Sequence, residues 1–263
     1  MNNTVVSSSS ADQQYSLAKI LAIWAVVSLP MPVLAFVVCP ALIPYFHVHP
    51  GFVYWILMIV GMIWQFVVSM FILKRELGTL SWAAIRQRVW LNLPRDPQTG
   101  RENAKLFWWL IPCVLFAFVM GQLLGEYLDA PLTWIFPVLK APIYTDVTQL
   151  ADPQFKGQWW ILGVTLVSFV FNYFLGEELL FRGILLPKMK GVFGRWDWVA
   201  NTVLFGLYHL HKAWSIPSII IDSFATVWPA RRFQSNWMAV IVHGLEGVSV
   251  IVLVVAVILG LYP

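Results

Sequence analysis

Seven stretches of this chain consist almost wholly of apolar residues: roughly 17–39, 52–73, 106–124, 159–186, 198–210, 216–228 and 237–261. A helix needs about 20 such residues to cross some 30 Å of hydrocarbon. In lipid no water meets the backbone, so a spanning segment is a helix or part of a closed barrel. Most of these stretches are far longer than the ~10 residues of a membrane strand, which selects helices. Composition agrees: 11% of residues are charged and 59% hydrophobic, where a soluble domain carries about 25% charged residues. The expected fold class is all-α, a polytopic transmembrane helical bundle of about seven spans, within six to eight. Pro30, Pro32, Pro40 and Pro44 should kink or shorten the first span. The stretch at 216–228 is short and bracketed by Pro217 and Pro229, so it should be tilted or partial.

Residues 1–15, with serines at positions 7–10, read as a disordered tail. The run after them has only Lys19 as a basic flank and no clear small-residue cleavage site, so it reads as a retained span. Residues 16–157 form N-terminal membrane helices around a basic loop, and 158–263 form the segment that carries the chemistry. Basic residues outnumber acidic ones 17 to 13, but they sit in loops and make no continuous polar face, which argues against a nucleic-acid partner. The 74–105 loop holds Lys74, Arg75, Arg86, Arg88, Arg95, Arg101 and Lys105. The positive-inside rule makes it cytoplasmic. Alternation of sides then leaves only Lys140, Lys156 and Lys212 away from the cytoplasmic side, with the N-terminus inside. A multi-pass protein of the plasma (inner) membrane is expected, with lipids as its surroundings. Cys39 and Cys113 lie in apolar runs without metal-ligand spacing and read as buried thiols.

Ionisable residues within spans are costly and are functional candidates by default. Glu177 lies eleven residues before Lys188, His209 fourteen after Arg195 and His243 eleven after Arg232. At 1.5 Å per residue these are depths of about 16, 21 and 16 Å. Three helices thus bring a carboxylate and two imidazoles to one level. Glu178 and Arg182, spaced i and i+4, read as an ion pair. Glu177 sits about 100° round the helix from Glu178 and is left for other work. His211 reads as interfacial, and Asp222 and Glu246 carry no assigned role. One Glu and two His can activate water in two ways. They can hold zinc with water in its open position, or the carboxylate can take the proton while a histidine steadies the developing charge. No HExxH is present, and spacing does not choose between the two.

These residues also form ordered motifs. Glu177-Glu178-Leu-Leu-Phe-Arg182 is an EExxxR, Phe205-Gly-Leu-Tyr-His209 an FxxxH, and His243-Gly-Leu-Glu-Gly247 falls where an HxxxN would stand. In this order the chain resembles the CAAX prenyl protease and bacteriocin-processing (CPBP, or Abi) family of intramembrane proteases, over roughly residues 159–255. The resemblance implies an intramembrane endopeptidase acting on a membrane-associated protein or peptide. It implies that Glu177 activates water, that His209 and His243 position water and intermediate, that Glu178 and Arg182 form an orienting pair, and that Phe205 and Gly247 line the pocket. Zinc held by Glu177, His209 and His243 and a metal-free glutamate mechanism both remain open. The family's Asn at 247 is replaced by Gly, which should leave a small void; Asn172 or Asn201 are alternative amides. Glu178 should point away from the cavity, and the cavity should open towards the cytoplasm. Two other classes stay in view. One is a catalytically silent scaffold or bacteriocin-immunity-type protein, favoured by Gly247. The other is a proton-coupled transporter, which an inverted repeat would favour and none supports.

Overall fold

The computed structural model describes residues 13–146 and 152–261, and among these residues the secondary structure is helical, without a strand. Among the described residues five helices are long and apolar enough to cross a membrane. They are α1 (Leu17–Tyr45), α2 (Pro50–Leu77), α4 (Ala104–Leu123), α6 (Trp160–Lys188) and α10 (Asn236–Leu259). Between them lie α3 (Trp82–Arg88), α5 (Gly125–Ile135), α7 (Asp197–Tyr208), α8 (Ile216–Asp222) and α9 (Phe224–Phe233). The bundle is polytopic and all-α. Of the seven expected spans, the runs at 198–210 and 216–228 become the shorter α7 and the broken pair α8–α9. At 12 residues α7 rises about 18 Å, short of the hydrocarbon thickness.

The prolines act as their chemistry requires. In α1 the helix turns π over Leu34–Val38 and ends in a 3-10 turn at Ile43–Tyr45, so it bends without breaking. In α2, Pro50 occupies the first turn and Gly78 closes the end at φ 68°, where a Cβ would be strained.

Hydrogen bonds tie the helix ends into two faces. At one, Tyr15 N–H bonds Lys188 O (3.0 Å), Asn236 N–H bonds Trp90 O (2.7 Å) and Arg95 N–H bonds Phe233 O (2.8 Å). This face carries the basic 74–105 loop. At the other, Gly157 N–H bonds Ile258 O (2.8 Å). Of the tail expected over 1–15, residues 1–12 lie outside the described residues. Gln13–Tyr15 are held to the turn after α6: Lys188 Nζ donates to Gln13 O (3.2 Å) and Gln14 Nε2 to Pro187 O (3.2 Å). Tyr15 is buried. Burial between Glu76 and Arg88 raises its phenol pKa well above the ordinary value.

The helix α6 positions the site, and half of it is not α. It turns π over Phe171–Gly176, passes Glu177 and Glu178, and turns π again over Leu179–Leu185. The wider i→i+5 repeat marks functional segments in many helices. Carbonyls along it accept from outside side chains. Asn236 Nδ2 donates to Glu178 O (3.1 Å), Asn201 Nδ2 to Phe181 O (2.9 Å), and Arg88 Nη1 and Nη2 to Gly183 O and Ile184 O (3.1 and 3.2 Å). These bonds satisfy, in a dry core, carbonyls exposed by the irregular helix. Gly176 admits the backbone of α2 beside it: a Cβ there would stand 3.3 Å from Met62 O.

Candidate active site

Glu177 on α6, His209 at the end of α7 and His243 in α10 meet around one point. Glu177 Oε1 lies 3.8 Å from His209 Nε2, and Oε2 lies 3.9 Å from His243 Nε2. All three line a cavity of about 390 Å³, with Phe205, Tyr173 and Arg182 beside them. Glu177 is 3% exposed and His209 8%. The cavity is the shared polar space that such groups need in hydrocarbon.

Each imidazole has one nitrogen committed behind it. His209 Nδ1 lies 2.9 Å from Phe205 O. A carbonyl can only accept, so Nδ1 carries the proton and Nε2 faces Glu177. This bond explains the FxxxH spacing: the carbonyl one turn earlier orients the ring. His243 Nδ1 lies 2.9 Å from Glu178 Oε1, again leaving Nε2 towards Glu177.

Glu178 therefore serves two partners. It is fully buried and points away from the cavity, as expected, with Oε2 3.4 Å from Arg182 Nε. That contact is an ion pair without hydrogen-bond alignment. The contact with His243 is the one the sequence did not show, because the two lie 65 residues apart on different helices. Arg182 is also fully buried. Its Nη2 donates to Thr226 Oγ1 at 2.7 Å, and its guanidinium lies 3.8 Å from the centre of the Phe205 ring. Phe205 thus sits among Arg182, His209 and His243, with ring centres 4.8 and 6.1 Å from the two histidines.

Three expectations are corrected. Gly247 leaves no void. A Cβ there would stand 2.1 Å from Tyr173 Cε2, so the tyrosine ring fills the space that a side chain at 247 would need. Gly247 is buried behind Tyr173 and is not part of the cavity lining, while Tyr173 lies edge-on to His243 with ring centres 4.6 Å apart. The cavity does not open towards the 74–105 loop. From the site its walls run to Gly51 on α2, Val250 on α10 and Tyr144–Asp146, at the other face. Its depth from Met62 to Gly51 is about 16 Å along α2. His211 is not interfacial: it is buried, lines the cavity and stacks on His209 at 5.4 Å.

Of the alternative amides, Asn172 lines the cavity, while Asn201 is spent on Phe181 O. Asp222 and Glu246, without a role from sequence, line it too. Between α5 and α8, burial raises the carboxyl pKa of Asp129, whose oxygens accept from Ser218 N–H and Oγ (2.9 and 2.7 Å).

Among the described residues no group of three His, Cys, Asp or Glu side chains is placed to hold a metal ion. Donors on a tetrahedral zinc at ~2.1 Å stand roughly 3.4 Å apart, and the 3.8 and 3.9 Å separations here are wider. The donor types suit zinc; their placement does not form its cage.

The chain is thus a polytopic helical membrane protein with a buried Glu/His/His centre and a paired Glu and Arg behind it. Residues 158–249 match the family model described as Type II CAAX prenyl endopeptidase Rce1-like, so this segment of the chain is similar to that CAAX-protease family. The helices before residue 158 lie outside the match. No curated protein and no solved structure matches the chain.

Proposed function

We propose that the protein hydrolyses a peptide bond of a membrane-associated protein or peptide with water activated by Glu177. The observation that carries this reading is the pair of separations between Glu177 and the two Nε2 atoms, 3.8 and 3.9 Å. Both exceed a direct hydrogen bond. A water about 2.8 Å from each atom fits between them.

In this reading Glu177 takes a proton from that water as its oxygen adds to the carbonyl carbon of the substrate. The carbonyl oxygen becomes an oxyanion. His243, protonated on both nitrogens as an imidazolium with Nδ1–H donated to Glu178, donates to it from Nε2, while His209 keeps its proton on Nδ1 towards Phe205 O and accepts from the water at Nε2. As the C–N bond breaks, Glu177 returns its proton to the leaving amine. The products are a carboxylate and an amine, and Glu177 ends as it began. No step passes through a metal.

Single-turnover cleavage of membrane-inserted peptides in water labelled in its oxygen tests the route. Label in every new carboxylate is the expected result. Unlabelled product carboxylate would mean that Glu177 adds to the substrate itself, and the direct-water reading would fall.

A further inference from the structure

The face on which the cavity opens identifies the side from which a ligand arrives. Its walls run from Met62 up to Gly51 on α2 and from His243 to Val250 on α10, and its rim is Tyr144–Asp146. These residues approach the helix ends joined by the Gly157–Ile258 bond. Below the site, the described residues pack solid. Leu180, Phe181, Arg182, Ile184 and Leu185 are fully buried, as are Asn236 and Met238. Arg88 closes this end by binding the carbonyls of Gly183 and Ile184. The basic 74–105 loop joins α2 to α4 at that closed end.

The basic residues favour the cytoplasmic side for that loop. We infer that the cavity opens away from the cytoplasm and that its substrate is an extended segment of an exported or membrane-anchored polypeptide, presented on the non-cytoplasmic side. Two observations meet here, and neither depends on catalysis. One is the direction of the cavity; the other is the charge of the opposite face. Only the word substrate rests on the hydrolase reading. A depth of ~16 Å admits about five residues of extended chain at ~3.3 Å each, so a loop or terminus must leave its own secondary structure to reach Glu177.

Three single-cysteine additions test this in intact cells. The wild-type chain, with Cys39 and Cys113 buried, is the blank. Thr145→Cys reports the rim, Gln98→Cys the basic loop, and Met58→Cys the cavity wall. A membrane-impermeant maleimide should label Thr145→Cys at least about ten-fold faster in intact than Gln98→Cys, which should react only after permeabilisation. A small charged thiosulfonate should reach Met58→Cys from the Thr145 side and be blocked from the other. Labelling of Gln98→Cys in intact cells with Thr145→Cys protected overturns the inference. So does reaction of Met58→Cys from the Gln98 side, or from neither. If the protein cleaves nothing while this pattern holds, the hydrolase reading fails and the outward opening stands.

Discussion

Tyr173 and Gly247 show how one position conditions another. The ring takes the space of a side chain at 247 and leans on His243. Gly247→Asn alone should therefore displace the ring and disturb His243, lowering both thermal stability and any turnover. Overpacking of this kind costs about 1–3 kcal/mol. Combining it with Tyr173→Ala should recover much of the stability loss, because the two sites touch and cannot be additive. Denaturation of the four proteins of the cycle in detergent reads this directly; additive losses would mean that the ring does not occupy that space. Arg182→Ala is expected to be harsher, costing about 3–5 kcal/mol, since it leaves Glu178 charged and without its cation at full burial. Arg182→Lys should recover only part of this, because an ammonium cannot reach Glu178 and Thr226 while stacking on Phe205. The candidates Glu177, His209 and His243 were legible in the sequence as polar residues at one depth. Tyr173 was not, because an aromatic in an apolar run carries no signal until its neighbour is known.

At the scale of the helix, α6 is the least regular element and the most informative. Its π turns lay beyond sequence reasoning because EExxxR fits an α-helix equally well. Even so, the flanking side chains that answer it were visible as polar residues near apolar runs: Arg88, Asn201 and Asn236. By sequence Arg88 is one of the basic residues of the 74–105 loop. The structure buries it to 8% exposure, between Glu76 and two carbonyls of α6. Arg88→Met keeps the volume and removes the donors. It should destabilise the protein by about 1–3 kcal/mol through carbonyls left without a partner. It should also speed amide hydrogen exchange in α6 between 179 and 188 more than in α10. Equal exchange in both helices would show that Arg88 supports the bundle generally and not α6 in particular. The broken pair α8–α9 was half legible: Pro217 and Pro229 marked a short run, yet the break falls at Ser223, where no proline stands and packing decides.

For the molecule as a whole, hydropathy made the class of fold plain, since chemistry permits few solutions for a chain with such long apolar runs in lipid. It did not show which end of the bundle the site faces. Depth measured from basic anchors brought the three residues to one level, and they do meet, but an anchor says nothing about where empty space lies. The outward cavity is a property of packing, set by the solid segment 179–186 on one side and the separation of helices on the other. The central claim is that three helices deliver one water to one carboxylate, so removing that carboxylate's basicity must abolish hydrolysis. The direct measurement is turnover of a membrane peptide by purified wild-type protein beside Glu177→Gln, with chelator present in both. The account predicts that wild-type activity survives the chelator and that the variant, folded to the same melting temperature, loses about 10²–10⁴-fold in kcat. Undiminished turnover by Glu177→Gln would contradict it.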